Sequence, residues 1–434
     1  MYKIGALILS IFAFSNLFAQ TSIDVSKQFP QLLEFYRDLH THPELSFKES
    51  RTAAKLAGEM RRLGFEVTEQ FGGSTAIVAV YKNGTGPTLL VRTDMDGLPV
   101  IEETDLPYAS KQMTTDNSGK TVGVMHACGH DVHMSVWLGT ARMLLQMKQQ
   151  WKGTLVFIGQ PAEEISGGAK QMLGSGLFEK FPRPDYALGL HVNATLASNQ
   201  IGICRGYAMA NVDMVDITVY GKGGHGAYPH NTTDPVVLAA KLVLDLQTIV
   251  SREINPLESA VLTVGAINGG AIGNVIPNEV VLKLTLRSYT DEVRQALLDK
   301  IAQRCKGLGL AAGLPEDLYP KVTLRDESTP ALYNTPELTD RLRPVIEQQL
   351  GAGSTVDVPP SMVGEDFGRY GRVEPKIPSL MIWLGTIEPT RAAAAAKGDI
   401  ALPALHSSKY APSPEAAITT GVRAMTAAAL DLLK

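Results

Sequence analysis

The chain has 434 residues, enough for two or three domains and a large buried core. It is 44% hydrophobic and 19% charged, an ordinary globular balance. A formal net charge of -4 offers no electrostatic footprint for nucleic acid or an acidic membrane surface.

The N-terminus opens on Met1-Tyr2-Lys3, a basic start, followed by an apolar run over 4–18 and the small residue Ala19. That order reads as a secretory signal peptide over 1–19, cut after Ala19, because the run is short for a membrane span. Export would place the mature chain in the periplasm or outside the cell, free of the membrane and in an oxidising compartment. Its three cysteines, Cys128, Cys204 and Cys305, are too few for a disulfide framework.

Helical spacing of apolar residues runs over 25–63, broken at His42-Pro43. A strand at 75–81 closes at the turn Asn83-Gly84. The run 88–92 is continuously apolar, as in a sheet covered on both faces, and leads into Asp94 and Asp96. Open α/β sheets place their chemistry at such strand ends, although an Asx-turn would use the same residues.

Next comes Met125-His126-Ala127-Cys128-Gly129-His130-Asp131-Val132-His133, which holds three of the chain's 9 histidines and one of its 3 cysteines. Cys, His and Asp bind transition metals, so the density predicts a metal site rather than a His-rich polar loop. An apolar helix over 135–145 follows. A buried strand at 153–159 leads to Glu163-Glu164, and another at 185–190 ends at His191. Adjacent carboxylates repel, so one of the pair is expected on a cation and the other free as a general base. Acids and histidines thus recur at successive strand ends.

From about residue 212 the texture changes to strand, helix, strand, strand, helix, strand over 212–220, 234–250, 260–267, 279–287, 291–308 and 321–324. This predicts a small α+β unit of roughly 115 residues inserted into a catalytic domain. The expected division is 20–209 and 329–434 for the catalytic domain, with 210–328 as the insertion. The catalytic fold class is α/β, a mixed, mostly parallel sheet flanked by helices. Glycine-rich loops surround His225 and Asn274; hairpin punctuation explains them equally well. Apolar segments at 335–349 and 379–384, then Glu365-Asp366 and His406, complete the chain.

In this order, these motifs resemble the metal-dependent aminoacylase/carboxypeptidase family of amidohydrolases. The chain looks most similar to the branch with hippurate hydrolases, N-acyl-amino-acid amidohydrolases and plant auxin-conjugate hydrolases. The resemblance implies a binuclear site on Cys128, His130, Glu164, His191 and His406, with Glu163 as general base. It implies that His225, from the lid and dimerisation unit, reaches an active site, often the partner subunit's, and polarises the scissile carbonyl. It also implies that Asn274 and Arg287 hold a substrate carboxylate and that Asp96 orients the ligands; Asp131, next to His130 in the motif, is expected to support the ligands from behind or to be structural. Two divalent ions follow, manganese or zinc, with cobalt and nickel also compatible with these donors. The expected substrate is a small N-acyl amino acid or short peptide, and the expected assembly a homodimer through the inserted unit. A dipeptidase or carboxypeptidase of the same fold is the alternative, and a non-catalytic binding protein a remote one. Extended segments at 111–121 and 386–403 depart from compact relatives.

Overall fold

A computed structural model describes residues 23–116 and 118–434, so the signal-peptide reading of 1–19 lies outside the described residues. Its largest element is an eight-stranded sheet. Across it the strands run Glu66–Thr68, Ile77–Asn83, Gly153–Gln160, Thr88–Asp94, Tyr186–Ala197, Ser379–Ile387, Ile201–Ile203 and Thr355–Asp357. The central four pair in parallel, and antiparallel strands border them. The sheet is therefore mixed but mostly parallel at its centre, as the apolar runs predict.

Alternation along these strands divides the core. Leu89, Val91, Leu155 and Phe157 pack with helices Phe29–Thr41, His130–Gln146 and Pro414–Leu432. Leu90, Val156 and Ile158 face the other way, onto Met172, Leu177, Phe367 and Tyr370. Helices on both faces explain why the central positions of these strands are apolar on both sides. Helix His130–Gln146 is buried almost all round, and it begins inside the His-rich motif rather than after it.

The second unit has a four-stranded antiparallel sheet, in the order Ala260–Asn268, Glu279–Ser288, Asn211–Tyr220, Lys321–Leu324. Helices Pro235–Thr248 and Asp291–Ala311 contribute Leu242, Leu246, Leu297 and Ile301 to its core. The first of these starts where Asp234-Pro235 indicates: Asp234 accepts the Val236 N–H at 2.9 Å. Segment 111–121 carries a small hairpin, Met113–Thr115 with Thr121–Gly123, and 386–403 carries the short helix Pro389–Ala396.

One strand departs from the sequence reading. The strand carrying His191 does not end there but runs on to Ala197. The polar residues Asn193 and Thr195 disguise its second half, which stays in register with Ser379–Ile387 until a bulge near Gly385.

Candidate metal centre

The motif residues are brought to the sheet by a turn that only glycine fits. Gly129 has φ +73°, and a Cβ there would sit 2.7 Å from Val192 Cγ2. This left-handed step precedes the helix and turns Cys128 and His130 toward one cleft. Cys128 Sγ lies 3.5 Å from His191 Nε2. His130 Nε2 lies 3.8 Å from Glu164 Oε1, and His406 Nε2 lies 3.5 Å from Glu164 Oε2. His406 arrives from the far end of the chain in a left-handed conformation, φ +67°, and its N–H donates to the Ala127 carbonyl at 2.9 Å. Potential ligand atoms of Cys128, His130 and His191 fall within 4.8 Å of one another, as do those of Cys128, Glu164 and His406.

Hydrogen bonding settles which nitrogens face the cleft. His130 Nδ1 donates to the Asp96 carbonyl and His191 Nδ1 to the Val192 carbonyl, each at 2.8 Å. Nε2 is then the ligating atom on both rings. His130 Nε2 and Glu164 Oε1 are buried with no hydrogen-bond partner, which a bound cation would remedy.

The local charge suits a cation too. Burial pulls the His130 pKa down, but Asp94, Asp96 and Glu164 raise it to about 10. Burial lifts Glu164 to about 7, opposed by His130 and assisted by Asp96 and Asp94. Burial and then Glu164, Glu163 and Asp94 push the Cys128 thiol well above its ordinary range. Thiolate and carboxylates can coexist here only with positive charge among them. Glu163 is raised well above the carboxylate range by burial, then by Glu365, Glu164 and Asp366.

Asp96 holds the frame. Its two oxygens accept the backbone N–H groups of Glu163 and Glu164 at 3.1 Å each, and Ser46 donates to it at 2.6 Å. Asp96→Asn turns an amide N–H₂ toward one of those donors. Metal affinity is expected to fall by about 10–100-fold, read by titration against a competing chelator; unchanged affinity would reject a supporting role.

Other predicted residues sit elsewhere. Asp131 follows His130 by one helical position and so points away from the cleft. It pairs with His40 at 2.7 Å, and His40 bonds Glu102 at 3.0 Å, so it anchors the helix rather than touching the cluster. Arg287 lines the cleft. His225 and Asn274 neighbour one another, with the Gly226 N–H donating to the Asn274 carbonyl at 2.8 Å, but both are exposed and neither lines this chain's cleft.

The sequence reading gave no role to Arg92, Glu365 or Asp366 beneath the site. Arg92 bonds Asp94 at 2.7 Å, Glu365 at 2.9 Å and Asp366 at 3.0 Å. His133 Nδ1 lies 2.7 Å from Asp94, and its Nε2 accepts the Val192 N–H at 2.9 Å. Arg92 and Asp94 share a strand face by their spacing of two, a signal available in the sequence. Asp366 is joined to them only by tertiary folding.

The sequence pattern of peptidase family M20/M25/M40 matches residues 90–410. The chain belongs to that family. It is 37% identical over 401 residues to an N-acetyldiaminopimelate deacetylase of Limosilactobacillus fermentum, covering 91% of this chain and 96% of that one. It is 34% identical over 359 residues to an N-acetylcysteine deacetylase of Bacillus subtilis, covering 82% and 88%. Its fold matches the Bacillus subtilis YXEP protein, a dinuclear metal-binding peptidase of the M20 family, with TM-score 0.74 at 29% identity, covering 94% of this chain and 99% of that one. The protein is thus a metal-dependent hydrolase of the M20 type, and two divalent ions are its cofactor.

Proposed function

We propose that the protein hydrolyses the amide bond of N-acyl amino acids. The observation that carries this reading is a cleft of about 540 Å³ with the Cys/His/Glu cluster on one wall and Arg287 on another. Arg287 is half-buried and, among the described residues, no carboxylate lies within ion-pair distance of it, so a substrate carboxylate would complete it. Met209, Val212, Met214, Met362 and Trp383 supply apolar surface for the rest of the substrate. The deacetylase relatives support the substrate class.

Cys128, His130, Glu164, His191 and His406 would hold the metal ions, manganese or zinc by their donor chemistry. Bound there, divalent ions acidify water and polarise a carbonyl oxygen. Glu163 takes the proton of the attacking water and returns it to the leaving nitrogen. Asp96 keeps the Glu163 and Glu164 backbone fixed while this happens. Arg287 grips the carboxylate and sets the register of the amide. We read His225 and Asn274 as serving the cleft of a second copy in a homodimer, since both are exposed. The basic and apolar N-terminal segment supports action in the periplasm or outside the cell.

Metal analysis of the purified protein, with assays on acylated amino acids and free dipeptides, tests the proposal. Cleavage of hippurate-like substrates, lost on chelation and restored by manganese or zinc, is the expected result. Fast cleavage of dipeptides with inert acyl substrates would favour a dipeptidase instead.

A further inference from the structure

A second cavity, about 460 Å³, lies where the chain passes between the two units. Asp213 stands near the start of strand Asn211–Tyr220, after the outgoing crossing, and Ser328, Thr329 and Pro330 form the return. Arg294 comes from helix Asp291–Ala311, while Arg369 and Arg372 come from the catalytic unit. The ionisable lining is three arginines and two aspartates, which leaves one positive charge in a chain of net charge -4.

That charge belongs to Arg369. Both aspartates are already matched: Arg294 forks onto Asp213 with two bonds of 2.7 Å, and Arg372 pairs with Asp291. Arg369 donates through Nη2 to the Ser328 carbonyl. Its Nε is buried without a partner, and among the described residues no carboxylate lies within ion-pair distance of it. Burial, opposed by Asp366, and then the charges of Arg372 and Arg294 pull its pKa down, yet a guanidinium remains charged in proteins. Thr329, only 2% exposed, also has an unpartnered Oγ1. A half-buried cation whose covered Nε–H is unused, beside two further guanidinium groups, carries a desolvation cost that a bound anion would relieve.

We propose that this cavity binds a phosphate group, gripped by Arg369 with Arg372 and Arg294 beside it. Guanidinium forks match the oxygens of such an anion, and the volume leaves room for a small phosphate monoester as well as inorganic phosphate. The bound anion spans both units, joining Arg294 of the inserted unit to Arg369 of the catalytic one. Arg369 lies three residues after Asp366, which bonds Arg92 and Gln160 beneath Glu163.

Calorimetric titration of the metal-loaded protein with inorganic phosphate, and separately with glycerol phosphate, tests this at fixed ionic strength. One saturable site is expected, weakened at least about tenfold in Arg369→Gln, which loses the charge and the fork. Tighter binding of glycerol phosphate than of inorganic phosphate identifies a monoester as the ligand, and the reverse order the free ion. Affinity unchanged in Arg369→Gln would mean that phosphate sits on the metal ions, and absence of saturable binding of either probe would equally overturn the site. Should Arg369→Gln fail to fold, Arg372→Gln, at a half-exposed pair, decides: weaker phosphate binding supports the cavity, and unchanged binding rejects it.

Discussion

Glu163→Gln is expected to lower kcat by at least about 10²–10⁴-fold, the usual worth of a general base, while the protein keeps its full metal content. Glutamine preserves the size of the side chain and loses only the ability to take a proton. Metal content should survive because the orphaned atoms that call for a cation belong to His130 and Glu164, not to Glu163. Glu163 lines the cleft beside them, with a carboxylate oxygen within 4.8 Å of His130 and Glu164, and it also comes within 4.8 Å of the carboxylates of Glu365 and Asp366. Burial and those like charges raise its pKa, and it accepts protons only above that value, so kcat/KM should rise with pH along its acid limb. A cation on Glu164 removes one of the repelling charges and shifts that limb to lower pH. Metal analysis beside steady-state kinetics separates the two acids: loss of metal from Glu163→Gln, with Glu164→Gln keeping its metal but losing turnover, would show their roles to be exchanged.

Much of the scaffold was legible because its signals are local. Continuous apolar runs marked the strands of the parallel sheet, and Asp234-Pro235 marked a helix start to the residue. The cluster was legible in part: the density of the Cys128/His130 motif and the acids and His191 at strand ends pointed to a metal site, while the ligand set itself, His406 included, came from the resemblance. What stayed hidden depends on distance in sequence. His40 meets Asp131 across 91 residues, and Arg92 meets Asp366 across 274. No periodicity predicts such pairings, since each is decided by which helix packs on which sheet face. Asp131 shows the converse limit: composition put it in the metal motif, while the pitch of helix His130–Gln146 turned it toward His40. The Arg369 cavity is likewise visible only once the two crossings lie side by side.

Arg92→Met is expected to cost about 3–5 kcal/mol in unfolding free energy, the usual penalty for removing one partner from a buried ion pair. Arg92 is 3% exposed and is the one guanidinium shared by Asp94, Glu365 and Asp366. Its Nε also bonds Gln160 at 3.0 Å. Methionine fills much of the volume but leaves three carboxylates facing one another in the sheet. The sign of the pH dependence follows from Glu365, which burial raises to about 7 while Arg92 opposes the rise. Without Arg92 its folded pKa climbs further above the unfolded value of about 4.3. The native state then binds more protons than the unfolded chain, so stability falls as pH rises through that interval. The deficit of Arg92→Met relative to the native protein should therefore be smallest near pH 5 and largest above about pH 8. Lysine should rescue little, because a single ammonium cannot bond three carboxylates and a glutamine at once. Urea denaturation at both pH values, at fixed metal concentration, measures each quantity. A midpoint unchanged at pH 8 would show that Asp94, Glu365 and Asp366 are held by something other than Arg92.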